Sequence, residues 1–374
     1  MSTSSFGAAS RRDSSCAFAT HISAIAAGLL VAACGGGGDG GASGGTPDAP
    51  HGGGHYFPLD QGDRWLYQET WNGGEARFQV DVGGQATDGG HAATSLVFTA
   101  LDGTLLENRD YGVDASGVTL YPTSSDGDLG QLLGPMLLIP ARVDAGTSVV
   151  VMDRAGLQIA DLDGDGRNDT VDVRVVLHVD GLETVTSQAI TFVDALHQHV
   201  DQTITFHGSA DALQPFTVTT HADEWFAGGI GRVRTETTTT NNRDGQVDTD
   251  TVELVAFRTA DGVHAGADPA VTSTVPSGGQ TRGQASAEVS ATFSMPMEPA
   301  SLDDGGFVVT DAGGRAVTGH VVVTPDGGKA TFVPDAGWQV GQFTARITER
   351  ALDRYGAAAK PFTWSFSFDE ASPT

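Results

Sequence analysis

The sequence predicts an all-β protein: an N-terminal curved antiparallel sheet or half-barrel domain, followed by a C-terminal β-sandwich. Gly, Thr, Val and Asp dominate the composition while helix-forming Lys and Leu are thin, which favours strands joined by tight turns. Segments that alternate apolar and polar residues recur at short spacing, and Asp-Gly and Gly-Gly pairs punctuate them. The 374 residues are enough for two cores, at roughly 100 to 200 residues each.

The first element is an address rather than a fold. Arg11 and Arg12 precede an apolar run from Ile22 to Ala33, which ends at Cys34. A bilayer span needs about 20 residues, so this shorter run reads as the core of an export signal. The residues Leu30-Val31-Ala32-Ala33-Cys34 resemble a bacterial lipobox. That resemblance implies a signal peptide over 1–34 and lipidation of Cys34, palmitate included, with Gly35 rather than Asp in the next position implying the outer membrane. An ordinary signal peptide with an incidental cysteine is the alternative. Hydrophobic residues do not follow the arginine pair, so a twin-arginine signal is poorly matched. Cys16 and Cys34 are the only cysteines, which leaves no disulfide framework for the folded part. From Gly35 to Gly54 eleven of twenty residues are glycine, a tether with an r.m.s. reach of about 25 Å.

The first domain is expected over 55–259, with order beginning at Tyr56. There Tyr56, Phe57, Trp65, Tyr67 and Trp71 gather around a turn at Gln61-Gly62-Asp63. Strands are expected at 76–82, 93–100, 118–122, 148–152 and 170–179. In the last of these Val171, Val173, Val175, Leu177 and Val179 share one face, while Asp172, Arg174 and His178 share the other. Ile190, Phe192, Leu196, Val200, Ile204 and Phe206 keep one parity over a stretch long for a single strand, so a hairpin or a strongly curved strand is expected. The domain closes near 224–234 with a last strand at 251–257, and 260–270 reads as an interdomain linker. The opening FPLDQGDRWLY and the closing EWFAGGIGRVR resemble uncharacterised bacterial lipoproteins built on curved antiparallel sheets, a likeness that carries no defined activity.

In the second domain Val289, Ala291, Phe293 and Met295 alternate with polar residues, as do Phe343, Ala345 and Ile347, and then Phe362, Trp364, Phe366 and Phe368. Six or seven such strands in about 100 residues make a sandwich. The segments VSATFSMPMEPASL, KATFVPDAGWQVGQFTARIT and ALDRYGAAAKPFTWSFSF resemble the bacterial Ig-like domain named for the S-layer protein SbsA, over 271–368. That resemblance implies a spacer or adhesion module without catalytic residues. Two positions depart from it: Trp338 stands where a smaller aliphatic is usual, and Arg354-Tyr355 where small residues are.

One stretch has the pattern of a metal site. In DLDGDGRNDTVD, counted from Asp161, carboxylates fall at positions 1, 3, 5, 9 and 12 as Asp161, Asp163, Asp165, Asp169 and Asp172, with Gly166 at 6 and the Arg167 carbonyl at 7. This order lets a hard cation gather oxygens around a sharp turn, and it predicts a structural Ca²⁺ loop set in a β-hairpin. An acidic turn without metal is the alternative. The stretch 242–250 echoes it weakly and reads as a hairpin turn. His197, His199 and His207 share the polar parity of their strand; zinc or copper would need a third ligand to arrive, and the set is read as a solvated strand face.

The formal charge of −27, with 47 acidic against 20 basic residues, argues against nucleic acid. Neither a nucleophile elbow, nor H-E-x-x-H, nor a phosphate loop opening a helix occurs, so an enzyme is not expected. The sequence therefore predicts a protein of the cell envelope, lipid-anchored to the outer membrane on its periplasmic or surface face. Its role is structural, adhesive or surface-binding, with envelope proteins or polysaccharide as partners. The alternative is a carrier of a hydrophobic ligand, with the apolar segment Leu132 to Ile139 as lining or lid.

Overall fold

The computed structural model describes residues 52–88, 90–122, 127–162, 164–209, 214–283 and 287–370. The export signal, Cys34 and the Gly-rich stretch as far as residue 51 lie outside the described residues.

Among the described residues thirteen strands form one antiparallel sheet. Six run in order away from the start: β1 (Arg64–Trp71), β2 (Gly74–Asp88), β3 (His91–Ala100), β4 (Leu105–Asp114), β5 (Gly117–Tyr121) and β6 (Met136–Pro140), with a short helix α1 (Gly127–Leu133) before the last. Six more return: β7 (Ser148–Gln158), β8 (Thr170–Ser187), β9 (Ile190–His207), β10 (Phe216–Ala227), β11 (Gly231–Asn241) and β12 (Val247–Arg258). The last pairs with β1, Arg64 opposite Arg258, so the two meanders meet in mid-sheet and leave β6 and β7 as the edges. Curling brings β6 over the inner face of β9, where buried Gln198 donates to the Leu138 carbonyl at 2.9 Å. The sheet is nearly closed.

Alternation explains the core. Val171, Val173, Val175, Leu177 and Val179 of β8 are all buried and face Phe206, Ile204, Gln202, Val200 and Gln198 of β9 in register. The stretch beginning at Ile190 is one continuous strand of 18 residues rather than a hairpin. Its curvature is taken up by bulges between Val179 and Gly181 and between Glu183 and Val185 on β8 and by Asp194, whose φ is 54°. Gly117 shows the tightest approach: its φ is +128°, and a Cβ there would lie 2.1 Å from the Ile139 carbonyl oxygen.

Structure is already present ahead of the expected start at Tyr56, since Gly52 bridges to Arg142 and Gly53–Tyr56 forms a 3₁₀ turn. The start and end of the domain are tied together by Asp63, which accepts from the amides of Asp60 at 3.1 Å and Ala260 at 2.6 Å. The expected linker is partly structured, because β13 (His264–Gly266) adds to β12 as a thirteenth strand.

The second domain is a sandwich of two four-stranded sheets. One holds β14 (Val271–Val275), β16 (Val289–Phe293), β18 (Gly319–Val323) and β19 (Lys329–Pro334); the other holds β15 (Thr281–Gly283), β17 (Phe307–Asp311), β20 (Gly341–Ile347) and β21 (Phe362–Asp369). Its core holds most of the set read from alternation, Val289, Ala291, Phe293, Phe343, Ala345, Ile347, Trp364, Phe366 and Phe368, together with Phe307, Val309 and Phe332. Phe362 is exposed instead, and Met295 packs between the domains. Trp338 caps it with ring centroids 5.2 Å from Phe368 and 5.3 Å from Phe343. Tyr355 does not belong to this core. It is buried between the domains with Leu66, Val255, Ala256 and Met295, and its hydroxyl donates to Gln79 Oε1 at 3.2 Å.

Candidate functional site

The acidic loop joins β7 to β8, as a calcium loop in a hairpin requires. Asp161 organises its first half: Oδ1 accepts from the amides of Gly164 at 2.6 Å and Asp165 at 3.2 Å, and Oδ2 from Gly166 at 2.8 Å. Gly164 and Gly166 supply the positive φ values, 78° and 84°, that the sharp turn needs. Asp165 accepts from the Arg167 amide at 2.8 Å and from Ser209 Oγ at 2.8 Å. Asp163 lies outside the described residues.

The later aspartates are used differently. Asp169 is fully buried and accepts from the amides of Leu162 at 2.7 Å and Ser209 at 2.6 Å, which pins the loop to the turn after β9. Asp172 sits on the outer face of β8, where it accepts from the Gly156 amide at 2.8 Å and meets His207 Nε2 at 2.9 Å. The Gly156 amide, and then His207, hold its carboxyl below the usual range. All four of these aspartates accept hydrogen bonds: Asp161 and Asp165 mainly from amides within the turn, Asp169 and Asp172 from groups outside it. The echo at 242–250 is a hairpin turn between β11 and β12, with the Gly245 amide donating to the Asn241 carbonyl at 2.9 Å.

The inner face of the sheet is not uniformly apolar. Glu224 of β10 and Arg232 of β11 form an ion pair of 2.6 Å at 0% and 2% side-chain exposure. Gln198 Nε2 donates to Glu224 at 2.8 Å, Tyr67 donates its hydroxyl to the Arg232 carbonyl at 2.9 Å, and the guanidinium lies 5.4 Å over the Phe226 ring. Burial pushes Glu224 up, against the pull of Arg232. Gln202, Thr220, Thr235, Thr237 and Thr239 extend this buried polar seam. Leu133, Met136, Leu138 and Ile139 are buried in the core, and the apolar cavity beside them, lined also by Val151, Val175 and Val200, measures about 20 Å³, the space of one water.

The outer face of β8, β9 and β10 carries a cluster that sequence reasoning grouped differently. His197, His199 and His207 share the polar face as their parity implies, yet His207 pairs with Asp172. The residues brought together are His178, His199 and Asp201, with His221 beside them. His178 lies directly opposite His199, a relation set by the two-residue turn at Gln188-Ala189 and by two register shifts between the turn and the pair that cancel each other. Placing that turn would have revealed the pair, but it contains no glycine to mark it.

Residues 265–368 match the family described as the bacterial Ig-like domain. No curated protein matches the chain. Similar solved structures include a candidate lipoprotein from Parabacteroides distasonis ATCC 8503, 16% identical, covering 54% of this chain and 96% of its own, with a TM-score of 0.31. Another is a candidate exported protein with a YmcC-like fold from Bacteroides fragilis NCTC 9343, 13% identical, covering 53% of this chain and 96% of its own, with a TM-score of 0.28. The C-terminal sandwich, with its cis Val275-Pro276 bond and its Phe293 to Pro299 element, is a bacterial Ig-like domain joined to a large, nearly closed antiparallel sheet.

Proposed function

We propose that the protein is an exported envelope lipoprotein in which the curved-sheet domain is held off the outer membrane by the Gly-rich tether and presented with its Ig-like module to envelope or surface partners. The observation that carries this reading is the Ig-like domain itself, a fold suited to spacing and adhesion, seated on the first domain through Tyr355. The lipobox-like residues before Cys34 supply the anchor. The buried Glu224–Arg232 pair and the threonines beside it put polar groups on the inner face where a carrier of a hydrophobic ligand would need an apolar lining, which supports a structural or binding role. Radiolabelled palmitate in expressing cells tests the anchor: wild type should be labelled and sediment with outer membranes, and Cys34→Ser should lose both. Unlabelled, soluble wild type would remove the lipoprotein reading.

The same reading gives the β7–β8 loop a bracing Ca²⁺, taken by Asp161, Asp163, Asp165 and the Arg167 carbonyl, with Asp169 pinning the loop and Asp172 closing it only by releasing Gly156. Asp161 supports this, since its three amide bonds already curl the turn. Millimolar Ca²⁺ should raise the melting temperature of wild type and leave Asp165→Ala unmoved. An equal response in both, or none in either, overturns the brace.

A further inference from the structure

Three neighbouring strands place four imidazoles and three carboxylates on one patch of the outer face: His178 and Asp180 from β8, His197, His199 and Asp201 from β9, and His221 and Asp223 from β10. The register fixes their relations, with His178 opposite His199, His199 opposite Asp223, and Asp201 opposite His221. One ligand atom from each of His178, His199 and Asp201 lies within 4.8 Å of the other two. Within this group His178 Nε2 and Asp201 Oδ2 are 3.7 Å apart, and the two rings stack with centroids 4.5 Å apart and planes at 16°.

Each of the three has its far atom already held. His178 Nδ1 meets Ser148 Oγ at 2.7 Å, His199 Nδ1 meets Asp180 Oδ2 at 2.7 Å, and Asp201 Oδ1 accepts from His221 Nδ1 at 2.8 Å. The Asp180 carboxylate can only accept, so His199 donates Nδ1–H and keeps its lone pair on Nε2. The Ser148 hydroxyl can accept from His178 Nδ1–H in the same tautomer, which leaves Nε2 of that ring and Asp201 Oδ2 for a metal. A hydrogen-bonded partner on the far side of every ligand is how proteins set the tautomer and aim of metal-binding imidazoles. His197 is occupied elsewhere, with Nε2 at 3.0 Å from Asp223 and its ring stacked on Trp225 at 4.6 Å.

We propose that His178, His199 and Asp201 form a binding site for a divalent transition-metal ion of the zinc type, open to solvent at its remaining position. Two imidazole nitrogens and one carboxylate oxygen suit Zn²⁺ or Cu²⁺ better than Ca²⁺, which prefers an all-oxygen shell. Ligand atoms around tetrahedral Zn²⁺ stand about 3.3 Å apart, so the group closes by about an ångström of side-chain rotation while the β-ladder stays fixed. The surrounding Asp180, Asp223 and Glu183 add a negative field that draws cations to the patch.

The test is calorimetric titration of the full, tag-free chain with ZnCl₂ at neutral pH in millimolar Ca²⁺, which keeps the β7–β8 loop out of the measurement. One Zn²⁺ per chain is expected, saturating at micromolar metal. His178→Gln and His199→Gln should each weaken binding at least 100-fold, and Asp180→Asn should weaken it about 10-fold or more by releasing His199. His197→Gln should bind as wild type does. Metal-free melting curves establish that each variant is folded. Cu²⁺ bound to wild type should show electron-spin coupling to two imidazole nitrogens. Absence of saturable binding, or binding that survives the His178→Gln/His199→Gln double variant, overturns the site and leaves the patch as histidine–carboxylate pairs on a strand face.

Discussion

Glu224 and Asp353 are carboxylates on which the fold has imposed opposite demands. Glu224 is fully buried against Arg232, so removing only the cation strands a charge. Arg232→Met should cost about 3 to 5 kcal/mol of unfolding free energy, and Glu224→Leu in the same chain should restore much of it; denaturant midpoints would show whether the double variant recovers. Asp353 accepts from the amides of Tyr355 and Ala357 on Oδ1, while its Oδ2 is buried without a hydrogen-bond partner. Burial, above all, pushes Asp353, Asp63 and Asp250 each up to about 6. The unfolded chain releases these protons near pH 4, so between about 4 and 6 the folded state holds more of them. Stability contributed by the three must fall as pH rises through that window. A melting temperature higher at pH 4.5 than at pH 7 is expected, and one that is flat or rising would contradict it. Asp353→Asn keeps the Oδ1 acceptor and cannot ionise. It should therefore gain on wild type at pH 7.5 by on the order of 2 kcal/mol and match it at pH 4.5.

Strands were legible where their inward residues are apolar and obscure where they are not. β8 and the three Ig-like strands announced themselves by alternation, and their inward residues line the cores except at the strand ends, where Phe362 is exposed and Met295 packs against the other domain. β4 was silent because its pattern is inverted: Arg109 and Tyr111 point inward, Arg109 pairs with Glu107 at 3.0 Å, and Leu105 and Leu106 are exposed. The aspartate spacing at 161–172 falls on a glycine turn between strands, and alternation already put Asp172 on the polar face; what neither could foresee is that the Gly156 amide and His207 would engage it there. Metal-ligand geometry across strands depends on register, and register depends on turns such as Gln188-Ala189, whose side chains do not disclose their conformation. Gly117 is the element-scale test of a close crossing. Gly117→Ala drives a methyl against the Ile139 carbonyl of β6 at an already positive φ. A loss of about 3 kcal/mol with an unchanged denaturant slope is expected.

Across the whole molecule the Ig-like domain and the sheet meet over a small apolar seat, and Tyr355 is its centre. Tyr355, read in the sequence as a departure from the Ig-like pattern, is buried there against Leu66, Val255, Ala256 and Met295. Its phenol is pushed well above its ordinary value by that burial. Tyr355→Ala should leave each core intact while uncoupling them, so that a single calorimetric transition separates into two; one that stays single would show the seat to be dispensable.

The position of Asp63 has a mechanical consequence. If the chain is anchored and engaged as proposed, tension would pull on the two ends of the sheet domain, and those ends are neighbours, since Arg64 faces Arg258 across the β1–β12 ladder. Tension applied there peels the ladder one rung at a time instead of shearing all its bonds together. A pull from the N-terminal side first has to free Gly52 and Gly53 from Arg142 and Ala141; the Asp63 carboxylate, clasping the amide of Ala260 just beyond that first rung, is then the latch of the ladder itself.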